Sequence, residues 1–185
     1  SVLAAEALGV ENGQDVLDLC AAPGGKSLIL AEKIAETGTL VANDRSASRR
    51  GRLKRVIESY LPPHVQERVR VTAHDATKWC LFETEAYDRI LLDAPCSSER
   101  HVLHDASALD AWSLARIKQL AARQYAMLAS ALLTLRPGGR LVYSTCALAP
   151  QENDGIIEKL LKKKRGKARV LPAHAPIGEQ STHGW

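Results

Sequence analysis

The sequence predicts an α/β fold in which helices cover both faces of a mostly parallel, twisted sheet. Short apolar runs with strand character alternate along the chain with longer stretches whose apolar residues recur at helical spacing. Such alternation is typical of parallel strands joined by right-handed crossovers. Two local features support the same fold: a glycine turn at residues 23–25, and an acidic residue, Asp44, at the end of the second apolar run.

The first strand, turn and helix organise the rest of the chain. Residues 15–19 read as a buried strand, the chain turns at Pro23, Gly24 and Gly25, and residues 26–37 have the spacing of a helix packed on a sheet. A glycine turn before a helix N-terminus presents free backbone N–H groups to a ligand. The turn is neither a phosphate loop nor a complete G-x-G-x-x-G motif, and a purely structural glycine turn is the alternative interpretation.

The remaining elements follow the same alternation. Apolar runs of strand length predict further strands at Thr39–Asn43, Val69–Thr72, Tyr87–Asp93, Arg140–Thr145 and Ala168–Leu171. Helical spacing predicts helices over Val2–Leu8, Ser46–Tyr60, Leu109–Leu135 and Gln151–Lys164. The prolines at Pro62–Pro63 and the run Pro137–Gly139 are expected to end the helices that precede them. The final stretch, Pro172–Trp185, has no periodic pattern.

Residues with reactive or charged side chains follow the predicted strands at their carboxyl ends, where open parallel sheets bind their ligands. They are Cys20–Lys26, Asp44, Asp75, Asp93–Cys96 and Cys146. Asp44 lies about twenty residues beyond the glycine turn, where an acidic residue can hydrogen-bond ribose hydroxyls. The predicted ligand is therefore adenosine-like.

Composition limits the class of protein. With 185 residues, 45% of them hydrophobic and 25% charged, the chain is expected to form one globular domain. No apolar run reaches the roughly 18 residues that a membrane span requires, so no membrane partner is expected. Four widely spaced cysteines without a C-x-x-C pair argue against a zinc site or a disulfide framework and indicate a reducing compartment. The net charge of +4 permits a nucleic-acid partner without demonstrating one.

Three motifs carry a resemblance to a known family. They are Asp-Leu-Cys-Ala-Ala-Pro-Gly-Gly-Lys at 18–26, Asp-Ala-Pro-Cys-Ser at 93–97 and Tyr-Ser-Thr-Cys at 143–146. In this order, each at a predicted strand end, they resemble the RNA cytosine-5 methyltransferases of the Sun type (the NOL/NOP/Sun family) over residues 2–160. Residues 43–44, 59–62 and 100–101 look most like the mitochondrial ribosomal-RNA members. The resemblance implies a Rossmann-like, S-adenosylmethionine-dependent methyltransferase fold acting on structured rRNA or tRNA.

The resemblance also implies S-adenosylmethionine as the cofactor. The residues implied to bind it are Cys20, Ala21, Ala22, Pro23, Gly24, Gly25, Lys26, Asp44, Arg49, Asp75 and Asp93. The turn would face the methionine carboxylate, an anion suited to a helix N-terminus. Asp44 would take the ribose hydroxyls, Arg49 would hold that loop or the ligand, and Asp75 would meet the adenine amino group. Without the resemblance, Asp75 also fits a strand-end turn and Arg49 a solvated helix face.

By the same resemblance, Cys146 is the nucleophile that attacks C6 of cytosine, and Cys96 assists release of the methylated product. Thiolate addition at C6 makes the ring an enamine whose C5 can accept a methyl group. Asp93 would hydrogen-bond the cytosine edge, and Lys26 would favour the thiolate as a nearby cation. The family's DNA-modifying relatives use the cysteine of the Pro-Cys motif instead, so the Thr-Cys motif ending at Cys146 points to RNA.

No metal site is expected. The segment His101–Asp105 has the composition of a metal site, but without further ligands in a recognisable motif we interpret it as a loop near the substrate mouth. Neither Cys20 nor Cys80 is given a catalytic role. The basic run Lys162–Lys167 fits either a solvated helix end or a contact with RNA phosphates.

Several alternatives stay open. Residues 1–185 are expected to be a single, truncated catalytic domain, without the family's N-terminal RNA-binding extension and its closing C-terminal strands. A protein partner would then supply RNA targeting. A non-catalytic RNA- or protein-binding module, an S-adenosylmethionine enzyme with another acceptor, and a dinucleotide oxidoreductase are the competing functions. The mitochondrial matrix and a bacterial-type cytoplasm are equally compatible with the sequence.

Overall fold

The computed structural model describes residues 2–34, 36–98, 113–172 and 179–184. Within these ranges the strands are β1 (Asp15–Asp18), β2 (Thr39–Asn43), β3 (Val69–Thr72), β4 (Tyr87–Asp93) and β5 (Leu135–Ser144). The α-helices are α1 (Val2–Ala7), α2 (Gly25–Ile34), α3 (Ala47–Tyr60), α4 (Pro63–Gln66), α5 (Leu114–Thr134) and α6 (Asp154–Lys163). Short 3₁₀ helices cover Ala76–Leu81 and Pro150–Glu152.

The strands form one parallel sheet in the order β3-β2-β1-β4-β5. The strand β1 is central, and Asp18 at its end pairs with Ala42 of β2 and Leu91 of β4. Strand order reverses on either side of β1, which makes the carboxyl end of β1 a topological switch point, the usual ligand site in such sheets. The predicted α/β fold with a parallel sheet is confirmed.

The inner strands are buried, and this explains why they read as continuous apolar runs rather than as alternating ones. The buried strand residues include Val16, Leu17, Leu40, Ala42, Ile90, Leu91 and Leu92. The helix α2 adds Leu30, Ala31 and Ile34 to the core. The core packs α2 on the sheet, and the hydrogen bond from Ser27 Oγ to Asp18 Oδ2 at 2.7 Å joins its first turn to the carboxyl end of β1.

The boundaries of most predicted elements are confirmed. The strands β2, β3 and β4 have the predicted bounds, and α3 follows an N-cap at Ser46, whose hydroxyl accepts a hydrogen bond from the backbone N–H of Arg49. The helix α2 ends at Ile34, before the predicted Thr37, because the backbone turns there towards β2. Residues 109–112 of the predicted long helix lie outside the described residues.

One predicted strand boundary and one predicted strand are wrong. The strand β5 begins at Leu135, paired with Tyr87, and its pairing continues at Arg140 opposite Arg89, so residues 136–139 bulge within the strand instead of preceding it. Arg136 stabilises this bulge through ion pairs to Asp88 at 2.7 Å and Asp15 at 2.9 Å. Residues 168–171 do not form the predicted sixth strand. Val170 and Leu171 are exposed, and an apolar run becomes a strand only where it gains a neighbour to pair with.

The contacts divide the chain into two compact units. The first unit, Ser1–Asp93 with Ser130–Ser144, contains the whole sheet. The second unit, Ala94–Ala129 with Thr145–Trp185, contains Cys96, Cys146 and α6. The prediction of one domain over residues 1–185 stays a prediction. Among the described residues, no helix combines the length and the apolar character needed to cross a membrane.

Candidate cofactor corner and cysteine cluster

The glycine turn in the first unit is tight on one side and open on the other. Gly24 has φ +121°, and a Cβ atom there would lie 3.0 Å from Val56 Cγ1 and 3.1 Å from Leu53 Cδ1 of α3. A Cβ atom at Gly25 would meet no other described atom within 4 Å. The open side coincides with the first residue of α2, where backbone N–H groups and the helix dipole favour an anionic group.

Backbone and guanidinium contacts fix the residues before the turn. The N–H of Ala21 donates to the carbonyl of Asn43 at 2.8 Å, which ties the turn to the end of β2. The carbonyl of Ala22 accepts a hydrogen bond from Arg49 Nη2 at 2.6 Å, and the Ala22–Pro23 peptide bond is cis. The same guanidinium nitrogen lies 3.4 Å from Asp44 Oδ2, so Arg49 connects the glycine turn to that carboxylate.

Asp44 and Asp75 follow β2 and β3. Asp44 is buried, and its Oδ1 accepts a hydrogen bond from the N–H of Ser46 at 2.9 Å. Asp75 Oδ1 accepts from Thr77 through both its N–H and its hydroxyl, which makes Asp75 the N-cap of the 3₁₀ helix at 76–81. Asp75 Oδ2 lies 3.2 Å from Arg45 Nη1. Asp75 therefore has the turn role after a strand that the sequence left open. Because each carboxylate oxygen can accept more than one hydrogen bond, this role leaves room for a ligand contact as well.

Asp93 closes β4 and is held at both oxygens. Its Oδ2 forms an ion pair with Lys26 Nζ at 2.6 Å, and its Oδ1 accepts from Ser144 Oγ at 2.7 Å. The Lys26 side chain is 18% exposed and that of Asp93 35% exposed. Lys26 belongs to the first turn of α2, so this contact links the glycine turn to the ends of β4 and β5.

Two further titratable groups lie beside this corner. Burial raises the pKa of Asp18, the last residue of β1, to about 7, and the nearby Asp93 carboxylate raises it further against the opposing hydrogen bond from Ser27. Ser27 Oγ donates to Asp18 Oδ2 at 2.7 Å, whereas Asp18 Oδ1 has no partner among the described residues. Burial, followed by the carboxylates of Asp18 and Asp44, raises the pKa of Cys20 to about 12, so this thiol stays protonated.

The cysteine cluster belongs to the second unit. Cys96 Sγ and Cys146 Sγ lie 2.9 Å apart, with Ser98 Oγ at 3.6 Å from the first sulfur and 3.4 Å from the second. Burial raises the pKa of the Cys96 thiol, and its contact with Cys146 raises it further. Cys146 is exposed, whereas Cys96 is half-buried. The cluster therefore pairs an accessible thiol with a partly shielded thiol that favours its neutral form.

Asn43 and Ser144 are site residues that the sequence did not single out for a role. Asn43 Nδ2 donates to the carbonyls of Leu19 and His74, both at 3.1 Å, while Asn43 Oδ1 accepts from His74 N–H at 2.8 Å. This buried amide joins the carboxyl ends of β1, β2 and β3. A polar residue that directly follows an apolar stretch at the end of a strand, as Asn43 follows Leu40–Ala42 and Ser144 follows Leu141–Tyr143, is the signal that could have identified them.

The segment with the composition of a metal site, His101–Asp105, lies outside the described residues, as does the Arg100–His101 pair of the resemblance. Within the described ranges, no group of three or more His, Cys, Asp or Glu side chains is arranged to hold a metal ion.

The sheet order, the open glycine turn and the acidic residues at three strand ends define a Rossmann-like methyltransferase fold. Within that class, the chain belongs to the RsmB/F family, also called the Sun family. The family model described as 16S rRNA methyltransferase RsmB/F matches residues 5–184. The resemblance stated from the three motifs is thereby confirmed.

Individual relatives agree with this assignment. The chain is 44% identical over 182 residues to the mouse 5-cytosine rRNA methyltransferase NSUN4, covering 92% of this chain and 46% of that protein. It is 38% identical over 174 residues to ribosomal RNA small subunit methyltransferase F of Klebsiella pneumoniae, covering 93% and 36%. The crystal structure of NSun6 from Pyrococcus horikoshii with SFG superposes with a TM-score of 0.73 at 32% identity, covering 88% and 40%. The chain thus spans less than half the length of each of these relatives.

Proposed function

We propose that this chain carries the catalytic core of an enzyme that transfers a methyl group from S-adenosylmethionine to C5 of cytosine in rRNA or tRNA. A covalent bond between a cysteine and cytosine C6 would form during the reaction. The observation that carries the proposal is the 2.9 Å separation of the Cys96 and Cys146 sulfurs, each shortly after the end of a sheet strand. The names of the mouse and Klebsiella relatives support cytosine and ribosomal RNA as the acceptor class.

The cofactor corner suits S-adenosylmethionine, which supplies an electrophilic methyl group when it is bound. The open N-terminus of α2 at Gly25 suits its carboxylate, because the helix end offers N–H donors and a positive dipole. Asp44, held by Ser46 and Arg49, suits the ribose hydroxyls, and Asp75 the adenine amino group. The NSun6 relative was solved with SFG, an S-adenosylmethionine analogue, which supports the same ligand class.

Cys146 is proposed as the nucleophile because it is the exposed member of the pair. Its thiolate forms a bond to cytosine C6, and the electron pair of the C5–C6 double bond moves so that C5 becomes nucleophilic. After C5 gains the methyl group, a base removes the C5 proton, the double bond re-forms and the Cys146 sulfur leaves. Cys96, with its pKa raised by burial, is proposed to assist this release as a neutral thiol that can donate its proton.

Asp93 and Lys26 are proposed to act on the cytosine ring and on its charge. Asp93 hydrogen-bonds the cytosine edge and stabilises the ring when it is protonated, and its own carboxylate is kept in place by Ser144 and Lys26. The Lys26 ammonium is engaged by Asp93 at 2.6 Å. Its influence on the nucleophile would therefore be exerted through this ion pair, a weaker effect than that of an unpaired cation.

RNA binding by this chain would be mainly electrostatic. Arg45, just before α3, and Arg49 and Arg50 on it are engaged by carboxylates or carbonyls, whereas Arg52, Lys54 and Arg55 of α3 are exposed. Together with the run Lys162–Lys167 they would contact phosphates without base specificity and with a steep salt dependence. A protein partner or further segments would supply targeting. A zebrafish relative at 40% identity is named as a mitochondrial tRNA (cytosine(34)-C(5))-methyltransferase and the Klebsiella relative is bacterial, so both compartments considered from the sequence remain proposals for this chain.

The decisive experiment uses RNA that contains 5-fluorocytidine, with S-adenosylmethionine supplied. After methyl transfer, the fluorine at C5 cannot leave as a proton, so the covalent adduct is trapped. The parent chain should form a protein–RNA adduct that survives denaturing electrophoresis, and Cys146→Ala should form none. On unmodified RNA, Cys96→Ala should accumulate the adduct because release fails. Cys80→Ala, which removes a thiol of the first unit, is the matched control and should behave as the parent. An adduct that persists in Cys146→Ala would contradict the proposal.

A further inference from the structure

Two consecutive residues just before and at the start of α6 contact the chain on either side of the two cysteines. The carboxylate of Glu152 is fully buried. It accepts hydrogen bonds from the N–H of Ser97 at 3.1 Å, from the hydroxyl of Ser97, and from Gln124 Nε2 at 2.7 Å. Gln124 Nε2 also donates to the carbonyl of Pro95 at 2.9 Å. The residues before and after Cys96 are therefore both connected to Glu152.

Asn153 makes the corresponding contacts around Cys146. Its Oδ1 accepts from Thr145 Oγ1 at 2.7 Å, and its Nδ2 donates to the carbonyl of Ala147 at 3.0 Å. The Thr145 hydroxyl in turn accepts from the N–H of Ala147 at 3.2 Å. One amide side chain thus spans the turn that has Cys146 at its centre.

The burial of Glu152 indicates more than ordinary packing. A carboxylate removed from water is strongly destabilising unless hydrogen bonds compensate it, and Glu152 receives donors from two separate parts of the chain. An apolar residue would fill the same space without this requirement. What the carboxylate adds is a fixed position for the Ser97 backbone, and hence for the neighbouring Cys96.

Because Glu152 and Asn153 are adjacent, the backbone that joins them sets the position of one cysteine turn relative to the other. Covalent catalysis is sensitive to such placement, since a displacement of about 1 Å can cost about a hundredfold in rate. Preorganisation of reacting groups normally relies on supporting residues that are themselves hydrogen-bonded in place. The 2.9 Å approach of the two sulfurs is the distance that this arrangement would maintain.

We propose that Glu152 and Asn153 are positioning residues for the two thiols, Glu152 for Cys96 and Asn153 for Cys146. Neither residue touches the reacting atoms in this assignment; each acts through the turn that it holds. The catalytic consequence rests on the proposed function, in which Cys146 attacks and Cys96 assists release. The placement of the thiols is independent of the proposed function, because it can be measured without RNA.

The experiment compares Glu152→Gln and Asn153→Ala with Gln151→Ala, an exposed neighbour that serves as the matched control. Circular dichroism and thermal unfolding establish that each variant is folded. Alkylation of each thiol by iodoacetamide, followed by peptide mass spectrometry across a range of pH, then reports the surroundings of Cys96 and Cys146 separately. We expect Glu152→Gln to change the pH profile of Cys96 alkylation, Asn153→Ala that of Cys146, and Gln151→Ala neither.

Adduct kinetics provide the second readout. Asn153→Ala should slow formation of the 5-fluorocytidine adduct by about tenfold or more. Glu152→Gln should leave formation near the parental rate but slow release of the adduct from unmodified RNA. If Asn153→Ala does not fold, Thr145→Val removes the hydroxyl that donates to Asn153 and should slow adduct formation. If Glu152→Gln does not fold, Ser97→Ala removes the hydroxyl that donates to Glu152 and should slow release.

The outcomes separate the two proposals. If folded variants of both residues match Gln151→Ala in alkylation and in adduct kinetics, the positioning roles are wrong. If alkylation changes as expected but the parent itself forms no adduct at low salt with RNA in excess, where electrostatic contacts hold the RNA without targeting, the positioning roles stand and the covalent mechanism is wrong. A uniform slowing of every step in both variants would indicate a general structural role and would also overturn the assignment of one residue to each thiol.

Discussion

The sulfur atoms of Cys96 and Cys146 lie 2.9 Å apart, within about 1 Å of the length of a disulfide bond. Both cysteines are free thiols. Glu152 holds the chain beside Cys96 and Asn153 holds the chain beside Cys146, so bond formation needs only a small adjustment of the two turns. The same proximity that suits a nucleophile and an assisting thiol therefore makes the pair sensitive to oxidation.

We predict that oxidised glutathione converts this pair to an intramolecular disulfide. The Cys146 thiolate would attack glutathione disulfide and release one reduced glutathione, and Cys96 would then displace the second from the mixed disulfide. Peptide mass spectrometry should find Cys96 and Cys146 joined and Cys20 and Cys80 free, with dithiothreitol restoring both thiols and adduct formation. In Cys96→Ala the reaction should stop at the mixed disulfide. The prediction would be wrong if both thiols stayed free in a mixture of oxidised and reduced glutathione that converts a reference peptide dithiol to its disulfide.

The glycine turn gives a prediction with a built-in control. Gly24→Ala should destabilise the fold by about 1–3 kcal/mol, because a φ of +121° is strained for any residue with a Cβ atom and that atom would press on Val56 and Leu53. Gly25→Ala meets neither problem and should unfold at nearly the parental denaturant concentration. Urea unfolding of both variants provides the measurement.

For ligand binding, in contrast to stability, Gly25 is the glycine whose substitution is expected to have an effect. If the open side of the turn accepts the cofactor, Gly25→Ala should weaken S-adenosylhomocysteine binding even though its stability is unchanged. Isothermal titration calorimetry tests this on the folded protein. Parental affinity in Gly25→Ala would show that the ligand does not approach this part of the turn.

Asp18 predicts an unusual dependence of stability on pH. Its pKa of about 7 lies above the ordinary value of 3.8, so the folded protein binds more protons than the unfolded chain between these values and stability falls as pH rises. Asp18→Asn removes the ionisable group while keeping an acceptor for Ser27. The stability gained by the variant should be small at pH 4 and should grow to a few kcal/mol above pH 7, as thermal unfolding across pH would measure.

Asp88 has a lowered pKa, opposite to that of Asp18, and so serves as a control for the pH dependence of stability. Although burial raises its pKa, hydrogen bonds from Asp15 N–H and Arg136 lower it more, so the folded-state pKa is below the ordinary value. Its contribution is present above pH 4 and is lost as the pH falls through the folded pKa. Asp88→Asn should therefore destabilise the protein at neutral pH and converge with the parent in acid. Parallel pH profiles for the Asp18 and Asp88 variants would refute the assignment of their pKa shifts.

The success of the sequence predictions follows from where the determining contacts lie. The strands β2, β3 and β4 were predicted with their observed bounds because each carries several apolar residues over a strand-length stretch and ends at a polar residue. The start of β5 was not predictable, since it depends on Arg136 pairing with Asp15 and Asp88, residues far away in sequence. Residues 168–171 had strand composition but no strand to pair with.

The same distinction applies to the functional residues. Motifs that turn or end a strand locally, such as residues 23–25 and Asp44, were visible in the sequence. Asn43, Glu152 and Asn153 were assigned no role from sequence, because their roles arise from hydrogen bonds that tertiary folding creates. For Glu152 the decisive partner, Ser97, is 55 residues away. A buried acid next to an asparagine at a helix start is a pattern that only the folded chain explains.

The choice of cofactor can be tested at Asp44. Asp44→Asn keeps an oxygen to accept from Ser46 N–H but removes the charge, so the fold should be retained while a charged hydrogen bond to the ribose is lost. Binding of S-adenosylhomocysteine should weaken by about 1–3 kcal/mol, measured by calorimetry. Glu32→Gln, which removes one exposed charge from α2, is the matched control and should bind as the parent. Unchanged affinity in Asp44→Asn would exclude the ribose contact, and tighter binding of NAD than of S-adenosylhomocysteine by the parent would identify a dinucleotide site instead.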